Sequence, residues 1–271
     1  MSFIINPYVY AVAGCVDADA NAFLTATGIT DPTISAAICT FVTSLKAQGL
    51  WAKFYALYPF VGGTSTTHKF NLKNPADTDA ARRLTFVGGW THTVNGAQPN
   101  GVNGYADTNF NTGAVWTTYN NSLGLYSRSI AGTSIDADFG QGGSLGEFGQ
   151  NLVIRRSNNQ SIYDALNSSG TGRISFINND GRGLYVGSIT AINSRKLYKN
   201  GTLQVQSTTS IVQALPSYNL YLGCYNQGNT PLFFGSKQYA LAFIGLGLTD
   251  TDVSNLNTIN QTFQTTLGRQ V

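Results

Sequence analysis

Charge is what this chain has least of. Of its 271 residues only 11% are Asp, Glu, Lys or Arg, against about 25% in an average soluble domain. A single glutamate, Glu147, and two histidines, His68 and His92, are present. The basic pairs Arg82-Arg83, Arg155-Arg156 and Arg195-Lys196 stand apart from one another. No concentrated basic face follows from them, which argues against nucleic acid as a partner. Apolar runs are short as well. None approaches the roughly 18 residues of a membrane-crossing helix, so no membrane partner is expected. Cysteine is scarce: Cys15, Cys39 and Cys224 cannot all pair and none has metal-ligand spacing. They read as buried free thiols, in keeping with assembly in a reducing cytoplasm. Val12-Ala13-Gly14-Cys15 matches a bacterial lipoprotein cleavage site, but no Lys or Arg precedes it and Asn6-Pro7 interrupts the apolar stretch.

Aromatic residues are plentiful, with 14 Tyr and 15 Phe in a chain that is 42% hydrophobic. Disordered chains are charge-rich and aromatic-poor, so a packed core is expected. Asn, Gln, Ser, Thr and Gly take the place of the missing charges on the surface.

The clearest local signals lie in the last third. Lys237–Leu246 reads as a strand, with Tyr239, Leu241 and Phe243 on one face and Ala240, Ala242 and Ile244 on the other. Apolar on both faces, it should be an inner strand covered on each side. Thr249–Leu267 then reads as an amphipathic helix, its stripe formed by Val253, Leu256, Ile259, Phe263 and Leu267. Thr249 caps its start and Gly268 closes its end. Lys199-Asn200-Gly201 joins two strands in a hairpin, because both turn residues of Asn-Gly tolerate positive φ. Asn178-Asn179-Asp180-Gly181 reads as a second hairpin, between Arg173–Ile177 and Gly183–Gly187. Further strands are expected at Leu84–Trp90, Val115–Tyr119, Leu123–Arg128, Asn151–Arg156 and Asn219–Cys224. Short strands with Gly, Asn and Ser turns point to a mainly β sandwich or jelly roll.

Residues 1–62 are of another kind. Met1–Ala13 is apolar and interrupted by Pro7. Asp17–Thr27 reads as a short helix. Asp31-Pro32 opens a stronger one, with Ile34, Ile38, Phe41, Val42 and Leu45 as its buried stripe. Trp51–Tyr58 reads as a third helix stopped by Pro59. Gly62-Gly63-Thr64-Ser65 is the expected boundary between an N-terminal arm with helices (1–62) and a sandwich (63–271).

The segments LYKNGTLQV and YNLYLGCYN, with the closing strand and the helix opening LTDTDV, resemble the C-terminal half of concanavalin A-like (laminin-G-like) sandwiches. Residues 50–108, which include HKFNLKNPADTDAARRLTFVGGWTHTVNGAQPNGVNGYADT, resemble structural proteins of tailed bacteriophages that carry this sandwich. The resemblance implies a concanavalin A-like jelly roll. It further implies a non-enzymatic virion subunit of decoration, fibre or tail-associated type, assembled in the host cytoplasm. Its partners would be other virion proteins and further copies of itself, a trimer being favoured, and a host-surface glycan could be its ligand. A carbohydrate-binding lectin or adhesin module is the alternative, and a divergent glycoside hydrolase a more distant one.

Sandwiches of this class include retaining glycoside hydrolases, which need two carboxylates about 5 Å apart. Here Glu147 stands alone in a Gly-rich stretch, and Asp136 and Asp138 read as an exposed strand edge. Gly140–Gly149 lacks a phosphate-binding Lys and reads as a loop. No catalytic residue, cofactor or metal is therefore expected. His68 reads as a structural hydrogen-bonder. Sugar binding would use aromatic platforms with Asn and Asp, and WTHTVN and NGYADTNFN supply Trp90, His92, Asn95, Tyr105 and Asp107. Asp107, Asn109 and Asn111 could offer oxygens to Ca²⁺, but read more simply as turn-forming residues. Phe3, Ile4, Ile5, Tyr8, Val9 and Tyr10 form an arm too apolar for free solvent and are expected at an interface between subunits.

Overall fold

The computed structural model describes residues 15–117, 119–131, 137–143, 149–165, 172–210 and 214–271. Helices α1 (Ala18–Thr27) and α2 (Pro32–Ala47) lead into β1 (Phe54–Tyr58). After α3 (Ser65–His68) come β2 (Thr85–Val87), β3 (Trp90–Thr93), β4 (Gly96–Pro99) and β5 (Tyr105–Asn111). The single turn α4 (Thr112–Val115) precedes β6 (Asn121–Ser127), β7 (Phe139–Gly142), β8 (Gly149–Val153), β9 (Gln160–Ala165) and β10 (Arg173–Ile177). Then follow β11 (Gly183–Ala191), β12 (Ser194–Lys199), β13 (Thr202–Ser207), β14 (Asn219–Leu222), β15 (Tyr225–Gln227) and β16 (Thr230–Leu232). β17 (Tyr239–Gly245) and α5 (Asp250–Thr266) close the fold.

Among the described residues the strands form two sheets packed as a jelly-roll-type sandwich. One has eight strands in the order β13-β12-β11-β6-β17-β4-β3, with β1 also paired to β17. The other has nine, in the order β10-β9-β8-β7-β14-β5-β2, with β15 beside β7 and β16 beside β15. Neighbours run antiparallel except β15 and β7, which run parallel. Leu123, Leu125, Tyr185 and Ile244 from the first sheet meet Phe110, Phe139, Leu152 and Leu222 from the second in the inter-sheet core.

The helices make a third layer over the outer face of the eight-stranded sheet. Asp17 and Asp31 cap α1 and α2 by accepting main-chain N–H bonds, and Pro32 occupies the first turn of α2. Ile38, Phe41, Val42 and Leu45 share one cluster with Val253, Leu256 and Phe263 of α5 and with Ala240, Leu241 and Phe243 of β17. Phe41 stacks on Phe263 at 4.4 Å. Thr249 and Asp252 form a reciprocal capping box at the start of α5. With helices on one side and a sheet on the other, all seven residues of β17 are buried.

Five local expectations are corrected. Trp51–Tyr58 is a 3₁₀ turn followed by β1, because pairing with β17 outweighs local helix preference. Val115–Tyr119 is not a strand, since Asn111 caps α4 there through its side chain. Leu84–Trp90 is divided at Gly88, whose φ of +72° ends β2 and lets β3 join the other sheet. Arg173–Ile177 and Gly183–Gly187 are no hairpin: β10 pairs β9 and β11 pairs β6 and β12, so residues 178–182 cross between sheets. A bulge between Tyr239 and Leu241 turns Tyr239 toward Ala242 and Ile244 in the inter-sheet core.

Two of the three cysteines are not free thiols. Cys15 and Cys39 form a disulfide with a Cα separation of 5.6 Å, tying the start of α1 to α2. Cys224 is a buried free thiol. Residues 3–10 of the expected arm lie outside the described residues.

Candidate functional site

The five residues expected to bind sugar do not converge. Trp90 and His92 lie on β3, facing Phe86 with ring centroids 5.0 and 4.6 Å away. Phe86 packs against the inter-sheet core, and Trp90 donates its Nε1–H to the Tyr105 carbonyl at 3.0 Å. His92 is thus a strand residue at the rim of the core. Its Nδ1 lies 3.0 Å from Nδ1 of His68, whose Nε2 accepts the Gly63 N–H. That bond places the proton of neutral His68 on Nδ1, donating to His92. Burial pulls His68 down to about 3, helped by His92 and Arg269, and burial lowers His92 too. Asn95 sits in the β3–β4 turn, its N–H bound to Thr93 Oγ1.

Tyr105 and Asp107 point the other way. They flank the buried Ala106 on β5, so they occupy the outer face of the nine-stranded sheet. Tyr105 stacks on Tyr221 of β14 at 4.7 Å and 26°. Asp107 accepts the Asn109 N–H at 2.8 Å, and both its oxygens accept from Asn219 Nδ2 at 3.1 and 3.2 Å. Burial raises the Asp107 carboxyl above its ordinary value, against these hydrogen bonds.

Strands β7, β8, β9, β10 and β15 extend this face. Tyr225 of β15 lies over Gly140, Gly142 and Gly149, and no side chain fits beneath it. A Cβ at Gly140 would meet the Tyr225 ring at 2.9 Å and Asn151 Oδ1 at 2.8 Å. Asn151 is only 6% exposed, and among the described residues its Oδ1 has no hydrogen-bond donor. Beyond it, Asp164 of β9 holds Arg173 of β10 through two bonds, at 2.6 and 2.8 Å. Burial, aided by Asp107, pushes Tyr221 up to about 12. Burial, aided by Asp164 and opposed by Arg173, does the same to Tyr225. Both are neutral hydroxyls at physiological pH, able to donate and to accept.

Sequence reasoning therefore found Tyr105 and Asp107 but missed Tyr221, Tyr225, Asn151, Asp164, Arg173 and Asn219. One signal was present. Gly140 and Gly142 belong to β7 and Gly149 begins β8, so this stretch is not wholly loop. Alternate glycines in a strand mark a close approach by another group.

The possible calcium ligands are occupied locally. Asn109 donates to the Arg83 carbonyl at 3.0 Å, and Asn111 Oδ1 accepts the Ala114 N–H at 3.2 Å as the α4 cap. Among the described residues no three His, Cys, Asp or Glu side chains gather as a metal site. Asp138, expected on an exposed edge, is fully buried. It is bound by Tyr239 Oη at 2.7 Å, the Ile154 N–H at 2.7 Å and Lys237 Nζ at 3.3 Å. Asp136 and Glu147 lie outside the described residues.

No protein-family model matches the chain, and no curated protein matches it. Among solved structures it is similar to domain 4 of AbnA, an extracellular GH43 arabinanase from Geobacillus stearothermophilus solved with arabinotriose. The match has 18% identity over 76% of this chain and 98% of that domain, with a TM-score of 0.45. It is also similar to the CBM40 of the Ruminococcus gnavus IT-sialidase, at 12% identity over 51% of this chain and 82% of that one, with a TM-score of 0.40. The NanB sialidase of Streptococcus pneumoniae matches at 11% identity over 54% of this chain, with a TM-score of 0.42. The chain spans about a quarter of that sialidase's length. The likeness is one of fold.

Proposed function

We propose that this protein is a non-catalytic carbohydrate-binding sandwich whose ligand lies on the outer face of the nine-stranded sheet. The observation that carries the reading is the Asn151 oxygen, buried beside the Tyr225 ring without a donor among the described residues. Leaving such an acceptor unpaired costs about 1–3 kcal/mol, which a ligand hydroxyl would recover. Around it stand the groups a sugar uses. Aromatic rings offer flat apolar surface for the C–H face of the ring. Asp107 and Asn219, both half-buried, offer fixed polar atoms at the edge. Among the described residues the enzyme reading gains no support from Asp138, which is engaged in the core. Hydrolysis of common polysaccharides is not expected.

A glycan array followed by calorimetry tests this, with Tyr221→Ala and Tyr225→Ala as probes. Each substitution is expected to weaken binding about tenfold or more, while the circular dichroism spectrum is unchanged. Binding to no glycan, or equal binding by both variants, overturns the reading.

The virion setting implied by residues 50–108 enters this proposal as the place where the sandwich is mounted, with a host-surface glycan as its ligand. The arm residues Phe3, Ile4, Ile5, Tyr8, Val9 and Tyr10 would then contact a neighbouring copy or another virion protein. Locating the chain in purified particles by electron cryomicroscopy tests that setting.

A further inference from the structure

The charges around the proposed face discriminate between classes of sugar. The fields of Asp107 and Asp164 act on Tyr221 and Tyr225, and Arg173 is the cation that acts with them. Arg173 is a compensated cation, paired on one edge with Asp164. Its Nε and Nη2 are held by the two oxygens of Asp164 in a fork-to-fork pair. Beside the Tyr221 and Tyr225 hydroxyls, which donate as well as accept, the polar atoms offered are acceptors: the carboxylate of Asp107, that of Asp164 and the Asn151 oxygen.

Resting on the carbohydrate reading above, we infer that the face takes neutral glycans with free hydroxyls and rejects sugars bearing a carboxylate, such as sialic and uronic acids. The juxtaposition behind it is the buried acceptor of Asn151 among Asp107, Asp164 and an Arg173 already paired. A sugar hydroxyl can donate to each of these acceptors. A sugar carboxylate can donate to none of them. It would be placed beside two like charges, where the one cation, Arg173, is already shared with the nine-tenths-buried carboxylate of Asp164.

Calorimetry of the full chain, with paired neutral and acidic oligosaccharides as probes, tests this: galactose oligomers against galacturonic acid oligomers, and lactose against sialyllactose. The neutral member of a pair is expected to bind about tenfold or more tighter than its acidic counterpart, through a site that Tyr221→Ala abolishes. Asp164→Asn releases Arg173 and is expected to narrow that gap by strengthening acidic binding. Should this variant fail to fold, ionic strength replaces it: acidic binding to the unaltered protein strengthens as salt is raised while neutral binding stays constant, and acidic binding that weakens with salt overturns the inference. Acidic sugars binding as tightly as neutral ones at the Tyr221-dependent site would overturn this inference and leave the carbohydrate reading intact. Binding of neither kind overturns both.

Discussion

His68 and His92 meet through their Nδ1 atoms at 3.0 Å, and only one of the two can carry the shared proton. With the Gly63 N–H already on its Nε2, His68 is locked as the neutral donor. An unfolded chain protonates this imidazole near 6.5, whereas the folded one resists down to about 3. The unfolded state therefore binds more protons throughout that interval. Stability is fully present above about pH 6.5 and is lost as pH falls toward 3, by on the order of 4 kcal/mol at the end. Burial of His92 acts in the same direction. Carboxylates held low, such as Asp180 at about 2, contribute mainly at lower pH, since their unfolded value is near 4. Urea unfolding from pH 7 to 4.5 is expected to show a declining midpoint, and His68→Gln to flatten the decline. A midpoint that does not move over that range would rule out the neutral buried pair.

The second prediction concerns Asp138, which with Lys237 is fully buried. Its oxygens also accept from Tyr239 and from the Ile154 main chain. Removing one partner of a buried ion pair costs about 3–5 kcal/mol, because the other charge is left uncompensated. Asp138→Asn is expected to lower stability by about that much in chemical denaturation. The double variant Asp138→Leu with Lys237→Met is expected to recover most of the loss. A cost below about 1 kcal/mol for Asp138→Asn would show that the pair is solvated.

These cases show what a linear reading can and cannot reach. α2, α5 and the β12–β13 hairpin were legible because their signals are local: Asp31-Pro32, Thr249 with Asp252, and Asn200-Gly201 with φ of +48° and +79°. Sheet membership was not local. Asn178 looked like a turn residue but is buried, donating to the Ile154 carbonyl, Ser161 Oγ and Tyr185 Oη across the crossover. Asp138 looked exposed because Lys237 and Tyr239 stand about a hundred residues away in the chain. The site suffered most. Alternation on β5 pairs Tyr105 with Asp107, but the remaining residues come from β8, β9, β10, β14 and β15, which only the sheet order brings together.

The last prediction concerns association. The apolar stripe of α2 is already spent: Ile38, Phe41, Val42 and Leu45 are buried against α5 and β17. What α2 and α5 leave open is a groove of about 260 Å³, lined by Thr40, Ser44, Thr258 and Thr262 above Phe41 and Phe263. That polar lining gives little reason for strong self-association through the helices. The arm residues that the sequence offers for such contacts are Phe3, Ile4, Ile5, Tyr8, Val9 and Tyr10. They precede Cys15, which the bridge to Cys39 fixes on α2. If these residues make the contacts between subunits, their removal should separate assembly from folding. Deleting residues 1–13 keeps the disulfide, both hydrophobic clusters and every described strand. The truncated chain is expected to keep its circular dichroism spectrum and melting temperature, yet to run as a monomer in light scattering where the full chain forms an oligomer. A truncated chain that retains the oligomeric state of the full one would place the subunit contacts elsewhere, and the arm would then have no role in assembly.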